Sequence, residues 1–141
     1  MKTLQRRHDW REHFERAIDE IHATPFEWGV HDCGPSLAGR LVEALTGEDM
    51  CAEYRGTYHD ALGAARIIRD AGFSSLGEMV ASILPQAHPS EARIGDIAAL
   101  EVEGPIGHAL GVVNGERIYV LTETRIGTVD LLDAKMIFKV G

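Results

Sequence analysis

His108-Ala109-Leu110-Gly111-Val112-Val113-Asn114-Gly115-Glu116-Arg117-Ile118-Tyr119-Val120-Leu121 reads as two apolar runs, rich in β-branched residues, around an Asn-Gly pair. Asn and Gly tolerate the positive φ that a tight turn demands, which makes this the strongest hairpin signal in the chain. A two-residue turn at Asn114-Gly115 predicts that Val113 pairs with Glu116 and that His108 lies opposite Leu121. Tyr119 and Glu123 then share the His108 face diagonally. A one-residue bulge brings Thr122 opposite His108 instead. Further strand-like runs at 96–102, 127–131 and 136–140 extend the hairpin into an antiparallel sheet.

Before residue 89 the period changes from strand to helix. Trp10, Phe14, Ala17, Ile18 and Ile21 recur at spacings of three and four between charges, so residues 8–22 form an amphipathic helix. Thr24-Pro25 ends it, because the residue before proline is driven out of the helical region. A second helix is expected from Asp32 to about Thr46 with Gly47 as its cap. Its apolar positions Leu37, Leu41, Ala44 and Leu45 share a face with Cys33, so the thiol points inward. Residues 48–58 read as a loop. A third helix over 59–71 carries Ala61, Leu62, Ala65 and Ile68 and stops at Gly72. Ser75-Leu76-Gly77-Glu78 has the spacing of a capping box and opens a short fourth helix reaching Leu84, ended by Pro85. Helices first and sheet second define an α+β fold, and the 141 residues suit a single domain over 1–141.

Composition narrows the function classes. The chain is 45% hydrophobic and 26% charged, as soluble globular proteins are, with a net charge of −8. That acidity argues against nucleic acid as a partner, since phosphate binding needs a basic surface. No run approaches the roughly 18 apolar residues that cross a bilayer, so no membrane insertion is expected. The charged start Met1-Lys2-Thr3-Leu4-Gln5-Arg6-Arg7-His8-Asp9 has no apolar stretch behind it, so no signal peptide is expected. Cys33 and Cys51 do not form a secreted disulfide pattern and are expected to be reduced thiols. His31 and Cys33, even with Cys51 or His59, lack the paired ligand spacing of zinc sites, so neither a metal nor another cofactor is expected.

The candidate chemistry lies in Pro25-Phe26-Glu27-Trp28-Gly29-Val30-His31-Asp32-Cys33-Gly34-Pro35, where an extended segment turns into a helix. A thiol at a helix N-terminus sees the positive end of the peptide dipoles, which favours the thiolate. Cys33 is therefore the candidate nucleophile, and its own amide can point at a developing oxyanion. Asp32 is placed to cap the helix by accepting an amide hydrogen bond one turn on. His108, on a strand beneath that helix, is the candidate base. Glu123 is the candidate group to orient the imidazole, with Thr122 the alternative under the bulged register. Phe26, Trp28 and His31 flank the thiol as candidate substrate contacts, although a tryptophan beside a helix start also suits a core wall. Cys51 lies among acidic neighbours that raise a thiol pKa, and reads as incidental.

These motifs resemble those of the NlpC-type cell-wall peptidases, circularly permuted relatives of papain. The matching pieces are Pro25-Phe26-Glu27-Trp28-Gly29, Asp32-Cys33-Gly34, Gly95-Asp96-Ile97 and the His108–Val113 run with Asn114-Gly115, in the family's order over roughly residues 20 to 125. The resemblance implies a papain-like α+β fold and hydrolysis of amide bonds in peptidoglycan peptides, with Cys33 as nucleophile and His108 as base. Short, acidic members of this kind are similar to proteins encoded in phage tail-tip gene clusters. It therefore also implies phage tail proteins as partners, a place in the virion tail or in the host cytoplasm before assembly, and action in the cell envelope. The family's usual tyrosine is Phe26 here, its third polar residue falls near Val120, and His31 is inserted beside the thiol. Phe26 and Val120 motivate the alternative, a non-catalytic tail-assembly subunit of the same fold. An amidohydrolase or acyltransferase acting on lipid or small-molecule amides would use the same pair.

Overall fold

The computed structural model describes residues 4–29, 31–121 and 126–141. Its helices are α1 (Trp10–His22), α2 (Gly39–Thr46), α3 (Ala61–Asp70) and α4 (Leu76–Ala81). Its strands are β1 (Gln86–Ala87), β2 (Ile97–Glu101), β3 (His108–Asn114), β4 (Arg117–Leu121), β5 (Ile126–Asp130) and β6 (Ala134–Phe138). All strand pairs are antiparallel, in the order β1-β6-β2-β3-β4-β5. The helices precede the sheet, so the architecture is α+β.

Each helix follows from local chemistry. α1 buries Phe14, Ile18 and Ile21, the stripe that its spacing predicts. α3 opens at Asp60, whose carboxylate accepts from the Gly63 amide at 2.7 Å. At α4, Ser75 accepts from the Glu78 amide at 3.1 Å. Glu78 does not return the bond to Ser75; its carboxylate accepts from the Ser74 amide and hydroxyl. The helix ends at Ala81 rather than reaching Leu84.

The helix expected from Asp32 splits in two. Cys33–Ala38 is a π-helical turn, and the α-helical part starts only at Gly39. The Leu37 amide reaches the Asp32 carbonyl at 2.8 Å, the wider i to i+5 bond of a π turn. Pro35 supplies no amide hydrogen and Gly34 has little helical preference, so the first turn is free to widen. Gly47 closes α2 with φ 84° as expected.

The hairpin turn also departs from expectation by one residue, which moves each cross-strand partner by two. Asn114 pairs with Arg117, Val113 with Ile118, Val112 with Tyr119 and Gly111 with Val120. The loop is therefore Gly115-Glu116, with Gly115 at φ 72°, the positive angle that a type II′ turn needs at its first central position. Asn114 is held in the strand, its side-chain amide donating to the Tyr119 hydroxyl at 3.1 Å. Leu121 then falls level with Leu110, not His108. Thr122 and Glu123 lie outside the described residues.

Alternation along the strands sorts the sheet into two faces. Ile97, Ala99, Leu110, Val112 and Phe138 pack against Leu37, Leu41 and Leu45 beneath the helices. Ala98, Leu100, Val113, Ile118 and Ile137 form a second cluster on the reverse face. Where β2 begins, Asp96 is fully buried and gathers four partners. It accepts from Arg6 at 3.0 Å, Lys139 at 2.6 Å, the Arg93 amide at 2.8 Å and the Val140 amide at 3.1 Å. Arg6 also donates to the carbonyls of Val140 at 2.6 Å and Ile94 at 2.7 Å. Among the described residues no helix is long and apolar enough to cross a membrane.

Candidate active site

The Trp-Gly pair sets the entry to the thiol. Gly29 has φ 79°, and a Cβ there would come within 2.1 Å of the Tyr58 carbonyl. Only glycine allows the 51–58 segment to lie this close, and the Gly56 amide donates to the Gly29 carbonyl at 2.8 Å. Phe26 and Trp28 meet edge to face at 5.3 Å. They line an open cleft of about 240 Å³ whose wall also includes Asp32 and Cys33.

Asp32 is buried but does not cap the helix. Its Oδ2 accepts from the Gly29 amide at 2.9 Å and the Tyr58 hydroxyl at 2.5 Å, both outside the helix. Its Oδ1 is buried and meets no hydrogen-bond partner among the described residues. The carboxylate is drawn back toward Trp28-Gly29 by the tyrosine, while the widened turn satisfies Leu37 through the Asp32 carbonyl. Burial, the Asp32 charge and the hydrogen bond to Asp32 raise the Tyr58 pKa.

Cys33 is half-buried and packs with the core beneath the helices. Its electrostatics reverse the expectation of a favoured thiolate. Burial pushes the thiol up to about 11, with Asp32 adding to the rise; the backbone of Leu110 and of Cys33 itself pulls the other way and is outweighed. A helix start favours a thiolate only while water or donors replace its lost hydration, and here the desolvated wall dominates.

His108 begins β3 on the same strand face as Leu110. Its ring lies over Gly77 of α4 and beside Met136 of β6; a Cβ at Gly77 would come within 2.8 Å of the imidazole Nδ1 and 3.0 Å of the Met136 Sδ. That Nδ1 is buried with no hydrogen-bond partner among the described residues. The fold thus brings the Cys33 turn and the His108 strand to one seam, through the backbone of Leu110. Among the described residues no hydrogen bond joins the sulfur to the imidazole.

His31 does not serve the cleft. It is only 2% exposed, and its Nε2 lies 3.2 Å from the Ile21 carbonyl at the end of α1, to which it donates. Its backbone exchanges bonds with Glu27 at 2.7 and 2.9 Å, which turns the ring into the core. Burial lowers its pKa. Val120 packs with the reverse-face cluster, away from His108.

Two residues of the site carried no sequence signal. Tyr58 sits in a stretch that reads as loop, yet its hydroxyl donates to Asp32. Gly77 is absorbed by the capping-box pattern, although its missing side chain is what admits the His108 ring. Cys51, half-buried, points its sulfur at the Gly34 carbonyl at 3.8 Å, and burial followed by Asp49 pushes it up to about 11. Among the described residues no three His, Cys, Asp or Glu side chains gather as a metal site.

The arrangement defines an α+β protein with a buried thiol at a π-helical turn, set between an aromatic-walled cleft and a histidine-bearing strand. Residues 5–140 match DUF6950, a domain family of unknown function, and the chain belongs to that family. No curated protein matches the sequence.

Proposed function

We propose that this protein is a cysteine hydrolase of papain-like, NlpC-type fold that cleaves amide bonds in peptidoglycan peptides as a component of a phage tail tip. The observation that carries the reading is the packing of the Cys33 turn on β3, one alternation along from His108 on the same face. The resemblance of the Trp28-Gly29, Asp32-Cys33 and His108 motifs supplies the substrate class and the tail setting. In the reaction Cys33 attacks the acyl carbonyl and its proton passes through His108 to the departing amine. Water then hydrolyses the thioester, releasing the acid and restoring the thiol. The resting thiol is protonated at neutral pH, so the imidazole must swing from Gly77 toward the sulfur when substrate fills the cleft.

The test is release of soluble peptides and new amino groups from purified peptidoglycan. The wild-type chain should act, and Cys33→Ala and His108→Ala should each lose at least a hundredfold in rate. Undiminished release by Cys33→Ala overturns the reading. Glu123→Gln should slow turnover less than either, as an orienting group does.

One observation favours a second reading, a non-catalytic tail-assembly subunit. The thiol is pushed up to about 11, and among the described residues no hydrogen bond links it to His108. On that reading wild-type protein leaves peptidoglycan intact, while Cys33→Ala still binds tail proteins.

A further inference from the structure

We propose that a second, apolar hollow behind Cys33 receives the acyl portion of the substrate as an uncharged aliphatic group of about four or five carbons. This rests on the cysteine-hydrolase reading, because it makes the sulfur the point at which the acyl carbonyl halts. A cavity of about 120 Å³ lies between the π-helical turn, α2, α3, α4 and the sheet. Val42, Ile68, Met79, Ile83, Ile97 and Leu110 form much of its wall, and Cys33 is part of that wall too. The open cleft shares Trp28, Asp32, Cys33 and Ile106 with this cavity. The thiol therefore stands on the wall shared by the two spaces.

The lining chooses the chemistry. The polar side chains on the wall include Asp32 and Tyr58, and these two are bonded to each other. A carboxylate placed inside would find no counter-charge there, only the like charge of Asp32, and burying an unpaired charge is prohibitive. An aliphatic chain meets only apolar atoms and binds about three- to fourfold more tightly for each methylene it buries. Size sets the limit, since apolar cavities of about 150 Å³ accommodate benzene. A hollow of about 120 Å³ then takes roughly four or five carbons. Within peptidoglycan, this confines cleavage to amides whose acyl side presents an aliphatic group to the sulfur.

In the step itself the carbon–sulfur bond forms as the bond to the leaving nitrogen or oxygen breaks, and the thiol proton departs on that amine or alcohol. Water then adds to the thioester, giving the carboxylic acid and returning the proton to sulfur.

The experiment follows acyl-Cys33 formation by intact mass with p-nitrophenyl acetate, butanoate, pentanoate and octanoate. In parallel, binding of pentanamide and of charged succinamate to Cys33→Ala is read by methyl NMR. The rate should climb about three- to fourfold per methylene up to pentanoate and fall at octanoate. Pentanamide should shift the methyl signals of Val42 and Ile68, and succinamate should not. Ala64→Leu, which adds bulk to the cavity wall, should lower the pentanoyl-to-acetyl ratio at least tenfold. Acetyl thioester without any preference for pentanoate, and no pentanamide binding, overturns the acyl cavity alone. No thioester from any ester, with pentanamide still bound, overturns the hydrolase reading and the acyl assignment with it.

Discussion

At Cys33 two physical effects compete, and burial wins over the helix start. Cys33 and Cys51 both rise from an ordinary value near 9.0 to about 11. Between those values the unfolded chain has released both protons while the folded chain still holds them. Stability is therefore intact below about 9 and falls as pH rises, by about 1.4 kcal/mol per pH unit for each thiol. Tyr58, also raised, adds to the loss at still higher pH. Urea unfolding at pH 8 and pH 10.5 should show the drop, and Cys33→Ala/Cys51→Ala should flatten it. The same shift leaves Cys33 with on the order of a few hundredfold less thiolate at pH 7 than free cysteine. Iodoacetamide should accordingly modify ligand-free protein far more slowly than free cysteine and accelerate steadily through pH 10. On the acid side the sign reverses for His31. Burial lowers its pKa, so just below about 6.5 the unfolded chain takes up a proton that the folded chain refuses. Stability falls there with falling pH, and His31→Gln should remove that part of the slope. Nothing in the local sequence distinguishes His31 from Phe26 and Trp28. All three flank the thiol in the chain, and it is the backbone pairing with Glu27 and the carbonyl at the end of α1 that turn the imidazole inward.

Elements with strong periodicity were legible, and those set by three-dimensional packing were not. α1 follows its apolar spacing, α3 does so only in part, burying Ala65 and Ile68 but leaving Leu62 exposed, and the β3–β4 hairpin follows its Asn-Gly signal to within one residue. The turn lies one residue further on because only Gly115 takes the positive φ, while Asn114 is held in β3 by its bond to Tyr119. β1, two residues long, is too short to carry any alternation. The π-helical turn left no periodic trace either, since Leu37, Leu41 and Leu45 remain buried on both sides of the break. α4 shows how one pattern can conceal a second purpose. Its N-cap is the legible part, and Ser75→Ala should cost about 1 kcal/mol. Gly77 is the concealed part, because alanine there would intrude on the imidazole at 2.8 Å. The helical preference of alanine, worth about 1 kcal/mol, should offset much of the strain and leave the melting temperature nearly unchanged. Peptidoglycan turnover should nevertheless fall at least tenfold and the His108 ring signals should shift by NMR. An unchanged rate with unchanged ring signals would show that Gly77 does not position His108.

Across the whole molecule, Asp96 ties regions that are distant in sequence. Gly95-Asp96-Ile97 resembles a family marker that merely opens a strand, yet its carboxylate is where the two ends of the chain meet. Arg6 comes from ahead of α1 and Lys139 and Val140 from beyond β6, and all converge on a group with no solvent exposure. Trp10 lies under the Arg6 guanidinium at 4.5 Å, so the same contact anchors α1 against the sheet that carries His108. Such a cluster differs from surface pairs, which are worth little and fade with salt. Lys135 and Glu101, both exposed and 3.8 Å apart, form a surface pair of that kind. Asp96→Ala would leave Arg6, only 7% exposed at its side chain, without its carboxylate. The expected cost is about 3–5 kcal/mol, since an uncompensated buried charge remains. Lys135→Ala should cost less than about 1 kcal/mol. Urea unfolding at low salt and in 1 M sodium chloride separates the two classes: the Asp96 loss should persist in both, whereas a loss that vanishes with salt would mean that water reaches the cluster. Because the cluster joins α1 to β2 and β6, Asp96→Ala should also loosen the seam between the Cys33 turn and β3. Cys33 in that variant should then react faster with iodoacetamide at pH 8, as the burial that suppresses its thiolate is relieved.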